Sequence, residues 1–369
     1  MGRFRDALAA PGLSAIAEVK RRSPSAGDLR PDADPATLAC AFEASGAAAV
    51  SILVDERFAG SWADLRAARA AAGLPLLAKG FFSSREHLAE ARASGADAAL
   101  LILRDLDDGK MRGLMAAASE LGLDVLVEAH TADELERAER LGAEVIGVNA
   151  RDLSTFAIDR RSQLELVSRA PRDRVIVAES ALWSRAQGAE AELAGADAVL
   201  VGSALMRAAD PAAKLEEILS RPLVKVCGLT READVAAAAE AGADLAGFVL
   251  AESPRRAAAP LPVPETMLSV GVFVGRAEDA GTDLVQLYPE ENGHRARDGV
   301  LLRGGQQVAR VLDLPWLDED PAHWERAAGA VPASRCSVRI SVGRSASPLL
   351  SYHLVVRFSS CGRRRFALS

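Results

Sequence analysis

The sequence predicts an α/β fold in which roughly the first 220 residues form a parallel (β/α)8 TIM barrel. Eight short apolar runs recur between residues 14 and 203, and the step from one run to the next, about 25 residues, is the length of one β-α unit. Segments rich in Ala, Leu, Glu and Arg, with helical periodicity, separate the runs. Nearly every run ends in a residue that can do chemistry, and this is where a barrel places its catalytic groups.

The apolar runs are the predicted strands of this barrel. Strands that served only the core would not need polar or charged residues always at the same end. The runs are Ala15–Val19, Val50–Val54, Pro75–Ala78, Ala98–Leu103, Val125–Val127, Val145–Val148, Val175–Ala178 and Ala198–Val201. The residues at or just past their carboxyl ends are Glu18 and Lys20, Asp55, Lys79, Arg104, Glu128, Asn149, Glu179 with Ser180, and Gly202 with Ser203.

Helices are predicted between these strands. A doubly wound open sheet would explain the same alternation, but it predicts a glycine-rich first turn, and residues 21–25 (Arg-Arg-Ser-Pro-Ser) are no such turn. The predicted helices are Trp62–Ala72, Arg85–Ser94, Lys110–Leu121, Ala132–Leu141, Arg161–Ala170 and Trp183–Ala194.

The composition argues against several classes of partner and cofactor. The net charge of −7 argues against a nucleic-acid partner, whose phosphates require a basic surface. No run of 18 apolar residues and no signal segment occurs, so we expect a cytoplasmic protein without membrane contact. Four cysteines and five histidines show no metal-ligand spacing, so no metal is expected, and no other cofactor either.

A second domain is predicted from residue 221 to 332, where the strand pattern restarts. The helix Arg231–Ala241 follows its first strand. Residues 333–369 contain seven Arg, nine Ser and no Asp or Glu, and we expect this tail to be disordered. The six predicted strands are Val224–Cys227, Ala246–Leu250, Leu268–Val274, Leu284–Leu287, Val300–Leu302 and Val308–Leu312.

Six motifs in the first 220 residues resemble, in order and spacing, the indole-3-glycerol phosphate synthase family. One such motif would be a weak signal, but six in order are a strong one. The resemblance covers residues 8 to about 217 and implies a TIM barrel. The motifs are Ala15–Ser25 (AIAEVKRRSPS), Leu77–Phe81 (LAKGF), Leu126–His130 (LVEAH), Ile146–Leu153 (IGVNARDL), Val177–Ala181 (VAESA) and Leu200–Met206 (LVGSALM).

The resemblance implies a carboxy-lyase of tryptophan biosynthesis that needs no cofactor. Its substrate, 1-(2-carboxyphenylamino)-1-deoxyribulose 5-phosphate, undergoes ring closure, decarboxylation and dehydration. By resemblance, Lys79 is the acid of ring closure, and Glu128 and Lys20 are the base and the acid of dehydration. A lysine acts as an acid near neutral pH only if its surroundings lower its pKa, whereas carboxylates raise it. By resemblance, the carboxylate, hydroxyl and ammonium groups of the site are positioned by Glu18, Asn149, Arg151 and Glu179.

The resemblance also implies a phosphate site after the seventh and eighth strands, where barrels commonly bind phosphate. A helix that begins near Ser203 would add its dipole. Three positions depart from the family pattern. Gly80 stands in place of an aspartate, Ala59 replaces a loop glycine, and Ala181 replaces a turn glycine and would be strained at positive φ. The substrate- and phosphate-binding residues implied are Ser23, Phe81, Arg151, Ser180, Ala181, Gly202 and Ser203.

The motif Lys225–Thr230 (KVCGLT) resembles the opening of phosphoribosylanthranilate isomerase, which is often fused to the synthase. By this resemblance Cys227 is the base and Asp313 the acid of an Amadori rearrangement, and Arg255 extends the match. A free cysteine of this kind is more often a small buried residue. The glycine-rich loops expected after Asp313 are not found, so an incomplete barrel without isomerase activity is predicted.

Two alternatives remain open. One is a working bifunctional synthase and isomerase. The other is a catalytically inactive barrel that binds phosphorylated small molecules, which Gly80 and Ala181 would allow.

Overall fold

The computed structural model describes residues 2–152, 155–220, 223–296, 299–314, 337–339 and 353–358. The described chain divides into two compact units. The first comprises residues up to 183 together with 190–219, and the second comprises 184–189 together with the described residues from 220 onward.

Eight parallel strands close the barrel predicted for the first unit. Each strand pairs with the next along the chain, and the last pairs with the first, so that Ala17 lies between Val201 and Val50. The strands are β1 (Ser14–Val19), β2 (Ala49–Leu53), β3 (Leu76–Lys79), β4 (Ala98–Ile102), β5 (Asp124–Ala129), β6 (Val145–Asn149), β7 (Val175–Glu179) and β8 (Ala198–Val201).

Helices follow the strands, and many begin at a side chain that accepts a backbone N–H of the first turn, as Ser84 does from His87. Two single 3-10 turns, Glu56–Phe58 and Leu103–Asp105, and a hairpin of Arg22–Ser23 with Gly27–Asp28 complete the loops. The helices are α1 (Arg3–Leu8), α2 (Pro35–Ala44), α3 (Trp62–Ala71), α4 (Arg85–Ala93), α5 (Asp108–Glu120), α6 (Ala132–Arg140), α7 (Arg160–Arg169), α8 (Arg185–Ala194), α9 (Ser203–Arg207) and α10 (Pro211–Leu219).

Helix α1 packs against the apolar interior of the barrel. Its Phe4 and Leu8 are fully buried in one cluster with strand residues such as Leu77 and Leu126. Asp124, at the start of β5, accepts the backbone N–H groups of Phe4 and Arg5, both at 3.0 Å. Because α1 contacts the amino-terminal side of β5, the opposite end of the barrel is left for chemistry.

The second unit contains the six predicted strands and the predicted helix, α11 (Glu232–Glu240). Four strands are parallel, and the rest of the sheet is antiparallel. The strand order is β9 (Lys225–Cys227), β10 (Leu245–Val249), β11 (Leu268–Val274), β12 (Leu284–Tyr288), β13 (Gly299–Arg303), β14 (Gln306–Leu314), β16 (His353–Phe358) and β15 (Ser337–Arg339).

The prediction of an incomplete parallel barrel is not supported beyond β12. The connection from β12 to β13 carries a small hairpin, Glu290–Glu291 with His294–Arg295. Gly304 and Gly305 join β13 to β14, with φ of +52° and +78°. Two consecutive residues at positive φ make the turn that twists correctly for an antiparallel hairpin. A parallel crossover needs about a dozen residues or more, so this part of the sheet is mixed.

Two segments of the tail that was predicted to be disordered are strands in the structure. β16 pairs with β14, and β15 pairs with β16. The sequence of β16 contains Val355 and Val356, and β-branched residues of this kind favour a strand. The remainder of residues 333–369 lies outside the described residues. Within the described part of the chain, no helix is long and apolar enough to cross a membrane.

Candidate active site

A cavity opens at the carboxyl ends of the barrel strands, where the sequence predicted the chemistry. Glu179 is fully buried beneath the cavity and accepts a hydrogen bond from Lys79, which lines it. The other predicted residues of the synthase site all line the cavity: Glu18, Lys20, Ser23, Lys79, Phe81, Glu128, Asn149, Arg151, Ser180, Ala181, Gly202 and Ser203.

Two lysines and two buried glutamates form a chain of ion pairs at the floor of the cavity. Nζ of Lys79 lies 2.8 Å from Oε2 of Glu179 and 3.4 Å from Oε2 of Glu18. Nζ of Lys20 lies 2.7 Å from Oε1 of Glu18. Glu18 comes from β1 and Glu179 from β7, so closure of the barrel brings together side chains that are far apart in sequence.

The pKa values of the two glutamates are shifted in opposite directions. Burial raises the pKa of Glu18, but the ammonium groups of Lys20 and Lys79 outweigh it and hold that pKa at about 2. Burial raises the pKa of Glu179 to about 7, helped by the nearby carboxylates of Glu128 and Glu18 and opposed by Lys79. Glu18 is therefore a fixed anion, whereas Glu179 exchanges a proton near neutral pH.

Lys79 is held in its protonated form. Burial lowers the pKa of Lys79, but Glu179, Glu18 and Glu128 together raise it above its ordinary value. The effect of the carboxylates on the pKa of Lys79 therefore exceeds the effect of burial, a balance that the sequence alone did not decide. This shift is opposite to the lowered pKa that the sequence analysis required of an acid lysine. A Lys79 that stays protonated can still stabilise, as a hydrogen-bond donor, negative charge that develops beside it.

Two glycines provide the space that the buried carboxylates occupy. A Cβ on Gly147 of β6 would lie 2.0 Å from Oε1 of Glu179, and one on Gly202 would lie 2.4 Å from Oε1 of Glu18. Gly202 was predicted as a phosphate residue, and the structure shows that it also accommodates Glu18. Gly147 was not singled out, although its place inside a strand is a recognised sign of close approach by another group.

A hydrogen-bond network fixes the loops after β6 and β7. Oδ1 of Asn149 accepts from the Ser180 hydroxyl at 2.8 Å and from the backbone N–H of Arg151 at 2.9 Å. Gln163, buried on α7, donates through Nε2 to the carbonyls of Val148 and Glu179, at 2.7 and 2.6 Å. Gln163 was missed by the sequence analysis, because an amide inside a helix gives no sign that it will bridge two strand ends.

The predicted phosphate residues lie in loops whose backbone conformation is unusual. Ser180 and Ala181 both have positive φ, at +70° and +54°, so alanine occupies the left-handed conformation that glycine adopts without strain. Helix α9 begins at Ser203, as predicted, with Gly202 as its N-cap. Ser23 lies in the hairpin after β1, with its hydroxyl 3.1 Å from that of Ser25.

Aromatic side chains form the rim of the cavity. The rings of Phe58 and Phe81 stack with centroids 6.5 Å apart, and Phe81 is 40% exposed. The guanidinium of Arg57 lies 3.8 Å from the centre of the Phe81 ring and is held there by two 2.8 Å bonds to Asp55. A planar aromatic substrate would find an apolar surface here.

Glu128, the predicted base, contacts an imidazole that the sequence analysis did not assign. Oε1 of Glu128 lies 3.3 Å from Nε2 of His130, and Glu128 is 2% exposed. Burial raises the pKa of Glu128, but His130 and Lys79, with a hydrogen bond from Asn149, lower it below its ordinary value. Glu128 is therefore ionised at neutral pH, as a base must be.

Of the three residues suggested for an isomerase, Cys227 and Arg255 lie near each other in the second unit, and Asp313 lies on a strand apart from them. Cys227 ends β9, and Arg255 lies close to Gly228, with its Cδ 3.2 Å from the place of a Cβ there. Asp313 belongs to β14, separated from β9 by β10, β11, β12 and β13. Among the described residues, no group of three or more His, Cys, Asp and Glu side chains could hold a metal ion.

Comparison with known proteins finds clear sequence relatives of this chain. The sequence model of the family described as indole-3-glycerol phosphate synthase matches residues 2–218. The chain is 52% identical over 214 residues to the indole-3-glycerol phosphate synthase of Leifsonia xyli, a match that covers 58% of this chain and 82% of that protein. The proteins of the same description from Nocardioides sp. and Mycobacterium ulcerans are 53% identical over 203 residues and 45% identical over 215 residues. These two matches cover 55% and 58% of this chain and 78% and 79% of those proteins.

Proposed function

The chain belongs to the indole-3-glycerol phosphate synthase family, and on this premise we propose that its barrel converts 1-(2-carboxyphenylamino)-1-deoxyribulose 5-phosphate into indole-3-glycerol phosphate, carbon dioxide and water. The observation that carries the proposal is the contact of Lys79 with two buried glutamates at the floor of the cavity. The substrate is a phosphorylated small molecule, and the proposed location of the reaction is the cytoplasm.

Ring closure requires an acid at the keto oxygen of the substrate. The ring carbon that bears the carboxylate attacks the keto carbon, and the electron pair of the C=O bond moves to oxygen. Lys79, protonated and 15% exposed to the cavity, is the donor for that oxygen. Loss of carbon dioxide then returns the bonding electrons to the ring and restores its aromaticity.

Dehydration requires a base at one carbon of the double bond that forms and an acid at the hydroxyl on the other carbon. Glu128, ionised by its neighbours, removes the proton from the carbon next to nitrogen. Lys20, 2.7 Å from Glu18, donates a proton to the departing hydroxyl, which leaves as water. Positioned acids and bases of this kind typically contribute factors of about 10² to 10⁴ to a rate.

Substrate binding is assigned to the rim and to the loops after β1, β7 and β8. The aromatic ring of the substrate stacks against Phe81. Arg151, whose Nη1 lies 3.2 Å from the Ser25 hydroxyl, and Asn149 position the substrate's polar groups. Three loops that supply hydroxyls and backbone N–H groups hold the phosphate, at Ser23, at Ser180 with Ala181, and at Gly202 with Ser203.

The test is a turnover assay with the purified full chain and this substrate, followed by the fluorescence of the indole product. We expect product from the wild type, and a loss of at least about 100-fold in kcat for Lys79→Ala. Lys110→Ala, at an exposed lysine of α5, is the matched control and should behave as wild type. A folded wild-type protein without turnover would contradict the proposal and favour an inactive phosphate-binding barrel.

We propose further that the second unit has no isomerase activity. This rests on the strand order in an open sheet, where four strands lie between β9 and β14. At roughly 4.8 Å per strand, Cys227 and Asp313 are too far apart to serve one substrate as base and acid. With N-(5-phosphoribosyl)anthranilate as substrate, the full chain should show no conversion above a no-enzyme control. Conversion by the wild type that Cys227→Ser abolishes would instead support the bifunctional alternative.

A further inference from the structure

His130 lies between two carboxylates beside the proposed base, and none of the roles assigned above uses it. Its Nε2 is 3.3 Å from Oε1 of Glu128, and its Nδ1 is 3.4 Å from Oε2 of Glu134 on α6. The side chain of His130 is only 11% exposed, and those of Glu128 and Glu134 are 2% and 16% exposed. We propose that His130 is a positioning residue, which Glu134 anchors at Nδ1 and which orients the Glu128 carboxylate from Nε2 for proton transfer.

The anchor of this arrangement is set by the start of helix α6. Thr131 is the N-cap, and its hydroxyl accepts the backbone N–H of Glu134 at 3.2 Å. The Glu134 carboxylate turns back and accepts the backbone N–H of His130 at 2.6 Å. The sequence Thr-x-x-Glu is the signature of a capping box, although here the glutamate accepts the N–H of the residue before the N-cap rather than that of the N-cap itself. Here the same carboxylate also faces the imidazole, so capping fixes the position from which Glu134 acts on His130.

The charges around His130 favour the imidazolium form. Burial lowers the pKa of His130, but Glu128 and Glu134 together raise it to about 9. Arg104, from the 3-10 turn after β4, acts on Glu134, while Lys79 of β3 and Asn149 of β6 act on Glu128. An imidazolium has an N–H on each nitrogen, so it can face both carboxylates at once.

Orientation matters because Glu128 takes a proton and must later release it. In a buried site a carboxylate with several rotamers spends part of its time pointing away from the substrate. A neighbour of fixed position removes that freedom, in the way that a carboxylate orients the imidazole of a serine hydrolase. His130 is not among the residues that line the cavity, so the role proposed for it is exerted through Glu128.

The experiment compares His130→Asn, His130→Gln and Glu134→Gln with two matched controls, His87→Asn on α4 and Glu136→Gln on α6. His87 and Glu136 are both exposed. An Asn amide reaches about as far as Nδ1 of histidine, whereas a Gln amide reaches about as far as Nε2. We therefore expect kcat to fall about 10- to 100-fold in His130→Asn with KM changed less than about threefold, and to recover in part in His130→Gln.

The pH profile gives a second readout. Removal of the cation should move the acid limb of kcat/KM for His130→Asn upward by about one pH unit, because Glu128 loses an opposite charge within contact distance. Glu134→Gln should move it in the same direction by less. If His130→Asn does not fold, as judged by circular dichroism, Glu134→Gln still decides the matter, because a glutamine removes the charge but keeps an oxygen that can accept the backbone N–H of His130.

The inference rests on the proposed function, and the assay separates the two. A wild-type enzyme without turnover overturns both. An active wild type whose His130→Asn, His130→Gln and Glu134→Gln variants match His87→Asn and Glu136→Gln in kcat and in pH profile overturns the positioning role alone. Equal losses in His130→Asn and His130→Gln, with an unmoved acid limb, also overturn it, because they would show a structural role only.

Discussion

Nζ of Lys79 lies 2.8 Å from Oε2 of Glu179, although the two residues are 100 positions apart in sequence. The contact crosses the floor of the cavity from β3 to β7, and a second contact of 3.4 Å joins the same nitrogen to Glu18 on β1. The ammonium group of Lys79 thus contacts two carboxylates that are almost completely buried, of which Glu18 has a second ammonium partner in Lys20, whereas Glu179 has none among the described residues. Since a third, Glu128, also acts on Lys79, one of the carboxyls is left with an elevated proton affinity.

Glu179→Gln should stabilise the protein while abolishing turnover. The pKa of the Glu179 carboxyl is about 7 in the folded protein against an ordinary value of 4.5. The folded state therefore holds this proton more tightly, and its contribution to stability is lost as pH rises from about 4.5 to 7. A glutamine resembles the protonated form, so the variant should gain about 3 kcal/mol of unfolding free energy above pH 7 and little near pH 4.5.

Urea unfolding at pH 5 and pH 8, followed by circular dichroism, measures this difference. The comparison with wild type at each pH removes the contribution of His130, which titrates in both proteins. Glu165→Gln, at an exposed glutamate on α7, is the control and should change stability equally little at both values. A difference between Glu179→Gln and wild type that does not grow with pH would contradict the elevated pKa.

Gly147→Ala should reduce both activity and stability. The added methyl would lie 2.0 Å from Oε1 of Glu179 and 3.3 Å from Cδ1 of Leu126, inside a closed strand pairing that cannot move aside freely. The carboxylate must shift, which breaks its contact with Lys79. We expect at least a tenfold fall in kcat and a loss of about 1–3 kcal/mol of unfolding free energy.

Gly113→Ala is the matched control for that substitution. Gly113 lies in the interior of α5, and a Cβ there would meet nothing within 4 Å. Alanine should therefore raise the unfolding free energy by roughly 0.5–1 kcal/mol and leave kcat unchanged. A Gly147→Ala protein with wild-type kcat would show that Glu179 does not need the space that glycine leaves.

Gln163→Leu should destabilise the barrel at the ends of two adjacent strands. The amide donates to the carbonyls of Val148 and Glu179, and Gln163 is 2% exposed. Leucine of similar volume leaves both carbonyls without this donor, at a cost of about 1–3 kcal/mol for a buried polar group. Gln163→Glu tests the donor itself, because it keeps the length but places acceptors against acceptors. A Gln163→Leu protein that unfolds at the wild-type urea concentration would refute the prediction.

The positions of the strand-end residues were predictable from the sequence, because apolar runs of regular spacing fix the barrel, and the barrel fixes which end carries the chemistry. Lys79 and Glu179 were placed at the same face for this reason. Which carboxylate contacts which lysine was not predictable, because it depends on barrel closure between β1 and β8. Gly147 was missed because it leaves space for a side chain of the next strand, β7. Gln163 was missed because it lies on α7 and donates to backbone carbonyls of two strands. The residue pattern along one element does not show which groups of another element it will contact.

In the second unit the six strands were predicted, and the parallel direction expected of them holds for β9 to β12 but not for the pairing of β13 with β12 and β14. Apolar alternation marks a strand, but only the connection decides whether the next strand runs parallel to it. Gly304-Gly305 between two strands was a hairpin signal in the sequence itself. It was overlooked because the resemblance of the preceding motif to an isomerase barrel favoured parallel strands.

Ala181→Gly should lower KM for the phosphorylated substrate and stabilise the loop after β7. Ala181 has φ of +54°, a conformation that costs an L-residue about 1–2 kcal/mol and costs glycine nothing. The larger backbone entropy that glycine loses on folding offsets about half of this gain. We therefore expect the unfolding free energy to rise by up to about 1 kcal/mol and KM to fall, because the N–H groups of a relaxed loop approach the phosphate without a methyl group beside them.

Ala59→Gly separates strain relief from phosphate binding. Ala59 has nearly the same backbone conformation, with φ of +55°, but it does not line the cavity. Both variants should show a similar change in melting temperature, and only Ala181→Gly should bind inorganic phosphate more tightly in a titration against substrate turnover. An equal fall in KM in the two variants would assign the effect to general loop relaxation, and no change in either would remove residue 181 from the phosphate site.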